Sequence, residues 1–363
     1  MPLKCGIIGL SGSGKTTLFN CISTNRAETH QAAFSGTKSN LGTVNVPDHR
    51  LYTIDTLIHS AKIVPTTIEM VDIPGLSKGG SQTEGNKFLA DIRNVDALIH
   101  VIRCFTDPLL PHVEGSVDPV RDKEIVDLEL QIKDLESVEK KIARTEKLIK
   151  AGDKEAKHAL DILHHIKNHL ENFQPVRSVD ITADERKILD DMFLLSDKPV
   201  MYVCNVEDGA AVSGNDYSLR FSQSIAGEKA LVLTLAGKME SEIAELESPE
   251  DRVAFLADAG LQEPGVNRLV RAAFDLLDLQ CFFTAGPKEV RAWTIRKGMT
   301  APQAAGVIHS DLERGFIRAE VMKYDDFIRL KSEHACKENG KLFVEGKNYI
   351  VGDGDILHIR FNV

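Results

Sequence analysis

Apolar residues in the first part of the chain cluster in short, nearly unbroken runs. Leu3 to Leu10 is the first and ends in glycines; Thr67 to Asp72, Ala97 to Phe105, Lys198 to Asn205 and Ala230 to Thr234 follow. Runs of this length predict strands covered on both faces. The helical segments between them, beginning with Thr16 to Thr24, predict a parallel sheet with helices on either side.

A different pattern sits between the third and fourth of these strands. Asp122 to Phe173 contains no proline and only one glycine, Gly152. Ile125, Leu128, Ile132, Leu135, Val138 and Ile142 recur at steps of three and four with charges between them. A second arm repeats the rhythm through Ala159, Ile162, Leu163, Ile166 and Leu170. The spacing predicts two long antiparallel helices turning at Ala151-Gly152-Asp153. From about Leu279 short strands return: Phe282 to Thr284, Val290 to Thr294, Phe316 to Val321, Tyr349 to Val351 and Ile356 to Ile359, with a helix from Thr300 to Ser310. The expected organisation is α/β: residues 1–121 with 176–278 as one sheet-based domain, 122–175 as an inserted helical hairpin, and 279–363 as a small α+β domain.

Composition narrows the class only slightly. The 363 residues suffice for two or three domains, and 42% hydrophobic with 27% charged residues is ordinary for a globular chain. No apolar run approaches the roughly 18 residues of a membrane span. The first residues enter a strand without a signal-peptide pattern. Six cysteines stand singly, with no Cys-x-x-Cys pair, which fits a reducing, cytoplasmic setting and argues against a zinc site or disulfide frame. Cys5, Cys104 and Cys204 are expected in the core, with Cys21 and Cys336 nearer the surface. A net charge of −10 argues against a uniformly basic nucleic-acid coat.

The chemistry is concentrated in a few motifs. Gly9-Leu10-Ser11-Gly12-Ser13-Gly14-Lys15-Thr16 has glycine at positions one and six, then lysine and threonine, between a strand and a helix. That is a phosphate loop. Its backbone N–H groups form a nest for the phosphate chain; Lys15 reaches the β- and γ-phosphates, and the Thr16 hydroxyl ligates magnesium. Thr17 extends the nucleotide-binding set into the helix. Asp72-Ile73-Pro74-Gly75 closes a strand some 55 residues on, where Asp72 is expected to hold magnesium through water and the Gly75 N–H to meet the γ-phosphate. Leu76 follows, and leucine cannot orient a hydrolytic water. His112, in a loop after a strand, is the candidate for that task. Asn205-Val206-Glu207-Asp208 occupies the place of a base-recognition motif, with valine for its lysine. Asp208 is in the guanine-reading position on a literal count, Glu207 if the loop is one residue shorter.

With these motifs in hand, Asp72 to Gly80 followed by Glu84 to Leu89, His100 to Phe105, and His112 to Pro119 resemble the Obg-like ATPases, the YchF family. The three-part layout is similar too, and the resemblance spans essentially the whole chain. It implies a GTPase-like domain, a coiled-coil hairpin and a C-terminal TGS (ubiquitin-like) domain. It also implies a slow hydrolase that prefers ATP over GTP and associates with ribosomes. The expectation is therefore a magnesium-dependent monomer that meets a ribosome (a large subunit or whole 70S-type particle), with RNA as a further partner and no membrane.

The chain departs from the family pattern at several points. Ser11-Gly12-Ser13 replaces the usual Pro-Asn-Val, and aspartate stands fourth in the base motif where glutamate is normal. Thr37 lies one position later than the first-switch threonine that would ligate magnesium, and the fifth motif is Ala236-Gly237 instead of Ser-Ala. Two alternatives therefore stay open: a GTP-preferring GTPase, and a nucleotide-gated ribosome-binding factor with negligible hydrolysis.

Overall fold

The computed structural model describes residues 3–23, 39–75, 82–151 and 155–362. Its strands run in chain order β1 Lys4–Ile8, β2 Asn40–Asn45, β3 Ile63–Val64, β4 Thr67–Asp72, β5 Ala97–Arg103 and β6 Val200–Asn205. They continue as β7 Val232–Leu235, β8 Leu279–Ala285, β9 Val290–Arg296, β10 Phe316–Met322, β11 Leu342–Glu345 and β12 Ile356–Phe361. The helices that matter below are α1 Lys15–Ile22, α2 His49–Ile58, α3 Gln82–Arg93, α4 Pro119–Lys150 and α5 Glu155–Glu171. The chain divides into two compact units, residues 1–42 with 69–266 and residues 43–68 with 267–363.

The first unit is built on a sheet of order β2-β4-β1-β5-β6-β7. β1 pairs in parallel with β4 and β5, β5 with β6, and β6 with β7. All seven residues of β5 and all six of β6 are buried, as expected for strands covered on both faces. One apolar core gathers Ile8, Ile73, Phe88, Ile102, Tyr202 and Phe221.

His100 in β5 is among the buried residues, its ring 5.7 Å from that of Tyr202. Burial, reinforced by the positive charges of Lys123, Arg177 and Lys15, pulls its pKa from 6.5 to about 3. The unfolded chain therefore takes up a proton that the fold refuses. Stability is fully present above pH 6.5 and is lost as pH falls toward 3, at up to about 1.4 kcal/mol per pH unit. His100→Phe is expected to flatten the acid limb of a stability–pH curve from chemical denaturation; an unchanged slope would contradict this reading.

The hairpin forms as expected, with its turn, residues 152–154, outside the described residues. Asp118 caps α4 by accepting from the Val120 and Arg121 N–H groups, and Pro119 occupies the first helical position. The buried stripe differs from the apolar rhythm. Leu128 and Ile132 are exposed, whereas Asp122, Val126, Leu130, Asp134, Val138 and Ile142 are buried. The reason is polar anchoring. Asp134 accepts from the Leu195 and Ser196 N–H groups and the Ser196 hydroxyl, and Lys123 joins Asp127 and Glu228 at 2.7 and 2.8 Å. Val126 and Leu130 belong to the core of the first unit. Farther along, Val138, Ile142, Leu163 and Ile166 form a second core with Val176 and Leu194.

The second unit carries the sheet β11-β10-β12-β8-β9-β3, with β12–β8 and β3–β9 parallel and β8–β9, β10–β11 and β10–β12 antiparallel. Residues Ala301, Ala304 and Ala305 pack with Phe282, Ile295 and Leu357 in one core. In the other core, Leu51 and Ile54 of α2 pack with Phe283, Val290, Phe327 and Ile356.

The expected domain limits are corrected here, because residues 43–68 fall with the C-terminal strands. Apart from that core, Arg50 binds both Asp48 and Asp353 at 2.8 Å. Residues 267–278 fall with them as well, and Lys297 N–H donates to the Asp278 carbonyl at 2.9 Å. The expected strand at Tyr349–Val351 is a single bridge, Thr300 to Ile350. Cys336, expected nearer the surface, is buried.

Candidate nucleotide-binding site

The phosphate loop connects β1 to α1, and its parts hold one another closely. Lys15 is buried, and its Nζ donates to the Leu10 carbonyl at 2.8 Å. Burial brings its pKa down to about 8 against the opposing pull of Asp72, the condition of a cation held ready for an anionic ligand. Thr16 Oγ1 donates to Asp72 Oδ2 at 2.8 Å, so the two residues expected to serve magnesium meet. Burial raises the Asp72 carboxyl above its usual range, while Thr16, Lys15 and Asn40 counteract it.

Two buried oxygens, Asp72 Oδ1 and Ser13 Oγ, have no hydrogen-bond partner among the described residues. The Thr16 hydroxyl and the Asp72 carboxylate, which keeps an unsatisfied oxygen, form a hard-oxygen donor set that suits magnesium. The residues present therefore fit the ion. Thr37, proposed as another ligand, lies outside the described residues, as does Leu76.

Gly75 rests against the loop. A β-carbon there would lie 2.5 Å from Lys15 Nζ, 2.8 Å from Ser11 N and 2.9 Å from the Gly9 carbonyl. Only glycine brings a backbone this close to the phosphate cradle. Ser11 Oγ and the Gly75 carbonyl are 3.5 Å apart. Thr17 continues into α1 and is half-buried.

Asn205 is the hub of the base motif. Its Nδ2 donates to the Ser13 carbonyl at 2.9 Å and its Oδ1 accepts from Gly237 N–H at 2.8 Å, tying the phosphate loop to Ala236-Gly237. Val206 is buried in the apolar core and so offers no side chain to a base. The two acidic residues diverge. Asp208 Oδ1 accepts from Met239 N–H at 3.2 Å, while Glu207 Oε2 accepts from Asn215 Nδ2 at 2.8 Å. Asp208, therefore, is the one beside the fifth motif.

His112 differs from the exposed loop base that its position suggested. Its side chain is 3% exposed, with Nε2 2.8 Å from Asp122 Oδ2. Nδ1 accepts from Glu114 N–H at 3.1 Å, so the proton of the neutral ring sits on Nε2 and is donated to Asp122. Both nitrogens are occupied, and a part in hydrolysis requires the ring to leave this pocket. Arg121 also grips Asp122, at 2.8 Å.

Motif reading passed over Asp122 and Arg103. The signal for Asp122 was an acidic residue in the first turn of a capped helix. For Arg103 it was a lone arginine at the end of a buried strand; its side chain lies beside the loop with a buried Nη1 that has no partner among the described residues.

A phosphate loop between a central parallel strand and a helix, with a strand-end aspartate on its threonine and an asparagine motif on its backbone, defines a P-loop nucleotide-binding protein of GTPase fold. Comparison with known proteins agrees. Residues 4–149 match the family described as "50S ribosome-binding GTPase", and residues 279–362 match the YchF-GTPase C-terminal family, described as "Protein of unknown function (DUF933)". The chain is 47% identical to the Ribosome-binding ATPase YchF of Bacillus subtilis (strain 168) and 44% identical to that of Escherichia coli O157:H7, over 100% of each chain. It is similar to the solved Schizosaccharomyces pombe YchF GTPase, with a TM-score of 0.87 and 34% identity over 99% of this chain and 98% of that one. The chain belongs to the YchF family.

Proposed function

We propose that the protein is a slow, magnesium-dependent nucleoside triphosphatase that prefers ATP and acts as a ribosome-associated cytoplasmic switch. The observation that carries this reading is the joined cluster of Lys15, Thr16, Asp72, Gly75 and Asn205 around the phosphate loop. Lys15 would grip the β- and γ-phosphates, and Thr16 with Asp72 would hold magnesium, which supplies charge neutralisation at the transferring phosphate. The Gly75 N–H would sense the γ-phosphate. The curated relatives are named ribosome-binding ATPases, which supports both the nucleotide and the partner. The C-terminal unit is taken as a TGS-type module, and with the hairpin it would carry the change to the ribosome.

His112 would orient or deprotonate the water after leaving Asp122, an arrangement that keeps hydrolysis slow until the loop moves. Wild-type protein is expected to release phosphate slowly from ATP with magnesium. His112→Ala should lower that rate by roughly 10² or more while leaving nucleotide affinity within about twofold. No release by wild-type protein, alone or with ribosomes, would remove the hydrolase reading; an unchanged rate in the variant would remove His112 from it. A GTP-preferring enzyme is the second reading, favoured by the place of Asp208 next to the fifth motif; it requires the carboxylate to give up Met239 N–H for guanine.

A further inference from the structure

A basic side chain on the strand next to the base motif lies close to the phosphate loop. Arg103 ends β5 and lies in register with Asn205 of β6. Its guanidinium is fixed on two sides: Nε donates to the Phe105 carbonyl at 3.2 Å and Nη2 to the Leu110 carbonyl at 2.7 Å. The group also lies over the Phe105 ring, 4.5 Å from its centroid. Arg103 is 3% exposed. Its remaining terminal nitrogen, Nη1, is buried and has no acceptor among the described residues. That nitrogen lies 3.4 Å from where a β-carbon on Gly12 would stand, so it faces the middle of the phosphate loop. A buried guanidinium arm without an acceptor, held by its other two nitrogens, is a donor positioned for an oxygen ligand.

We propose that Arg103 is a further nucleotide-binding residue, donating from Nη1 to a phosphate oxygen of the bound nucleotide beside Gly12. The assignment rests on the nucleotide-binding reading above. The backbone around Gly12 is where a phosphate loop cradles its diphosphate, so the ligand class is a nucleoside di- or triphosphate gripped by its phosphate chain.

The test is to titrate Mg-ADP and inorganic pyrophosphate against wild-type, Arg103→Met and Arg103→Lys protein, with thermal melting alongside. Pyrophosphate has neither base nor ribose, so a residue that merely holds the Phe105–Leu110 loop would not move its affinity. Arg103→Met is expected to weaken both ligands about tenfold or more. Arg103→Lys keeps the charge but cannot serve two carbonyls and a ligand together, so it should lose an intermediate amount; it carries the test if the methionine variant does not fold. The proposal is overturned if both ligands stay within twofold of wild type, if ADP alone weakens, or if wild type binds ADP and ignores pyrophosphate. Wild-type protein that binds no nucleotide at all would instead remove the nucleotide reading on which this one stands.

Discussion

Lys15→Met is expected to give a folded protein that no longer holds nucleotide. Among the described residues the ammonium donates to the Leu10 carbonyl at 2.8 Å, and its burial lowers the pKa from 10.5 to about 8. At neutral pH the ammonium therefore stays charged, in surroundings that favour that charge less than water does. The cost is on the order of 3 kcal/mol; it is fully present below pH 8 and fades as pH rises toward 10.5. Methionine keeps most of the stem's packing and removes the charge, so the melting temperature of the nucleotide-free variant should equal or exceed that of wild type. Its affinity for Mg-ATP should fall at least about 100-fold, about 2.7 kcal/mol, and phosphate release should vanish. Higher stability with lost binding is the signature of a residue retained for its ligand. Calorimetric titration with thermal melting checks both halves, and a large loss of stability in the variant would contradict the account.

Gly14→Ala should do the opposite, damaging fold and site together. Gly14 has φ of 96°, and a β-carbon there would lie 2.2 Å from Asn205 Nδ2. To admit it, Asn205 would have to give up its hydrogen bonds to the Ser13 carbonyl and Gly237 N–H. The left-handed backbone adds its own strain for any residue with a side chain. Together these should destabilise the protein by about 3 kcal/mol or more and abolish nucleotide binding. Gly227→Ala is the control: a β-carbon there meets nothing within 4 Å, so stability and affinity should stay near wild type. If Gly14→Ala melted and bound like this control, Asn205 would not be the hub described.

Legibility from sequence followed the range of the interaction. The phosphate loop and Asp72 are local motifs whose spacing dictates their geometry, and the pairing of Thr16 with Asp72 follows because the loop and α1 continue from β1, while Asp72 ends β4, its parallel neighbour. The buried strands β1, β5 and β6 are apolar enough to be unmistakable. By contrast, β3 has only two residues, and β2 alternates exposed and buried positions through glycine and asparagine. The placement of α2 in the second unit depends on Arg50 meeting Asp353, 303 residues away, and no local pattern announces that. The stripe on α4 misled because its anchors are buried carboxylates, Asp122 and Asp134, while Leu128 and Ile132 face outward. His112 looked free because a loop position says nothing about Asp122, ten residues on, capturing its ring.

The most direct test of the account is calorimetric titration of ATP and GTP against nucleotide-free protein, with and without magnesium. The account predicts magnesium-dependent binding of both nucleotides, with ATP tighter, meaning that Asp208 keeps its bond to Met239 and does not read guanine. GTP binding tighter by tenfold or more, about 1.4 kcal/mol, would contradict the ATP preference and make Asp208 the guanine reader; binding of neither nucleotide would contradict the account as a whole.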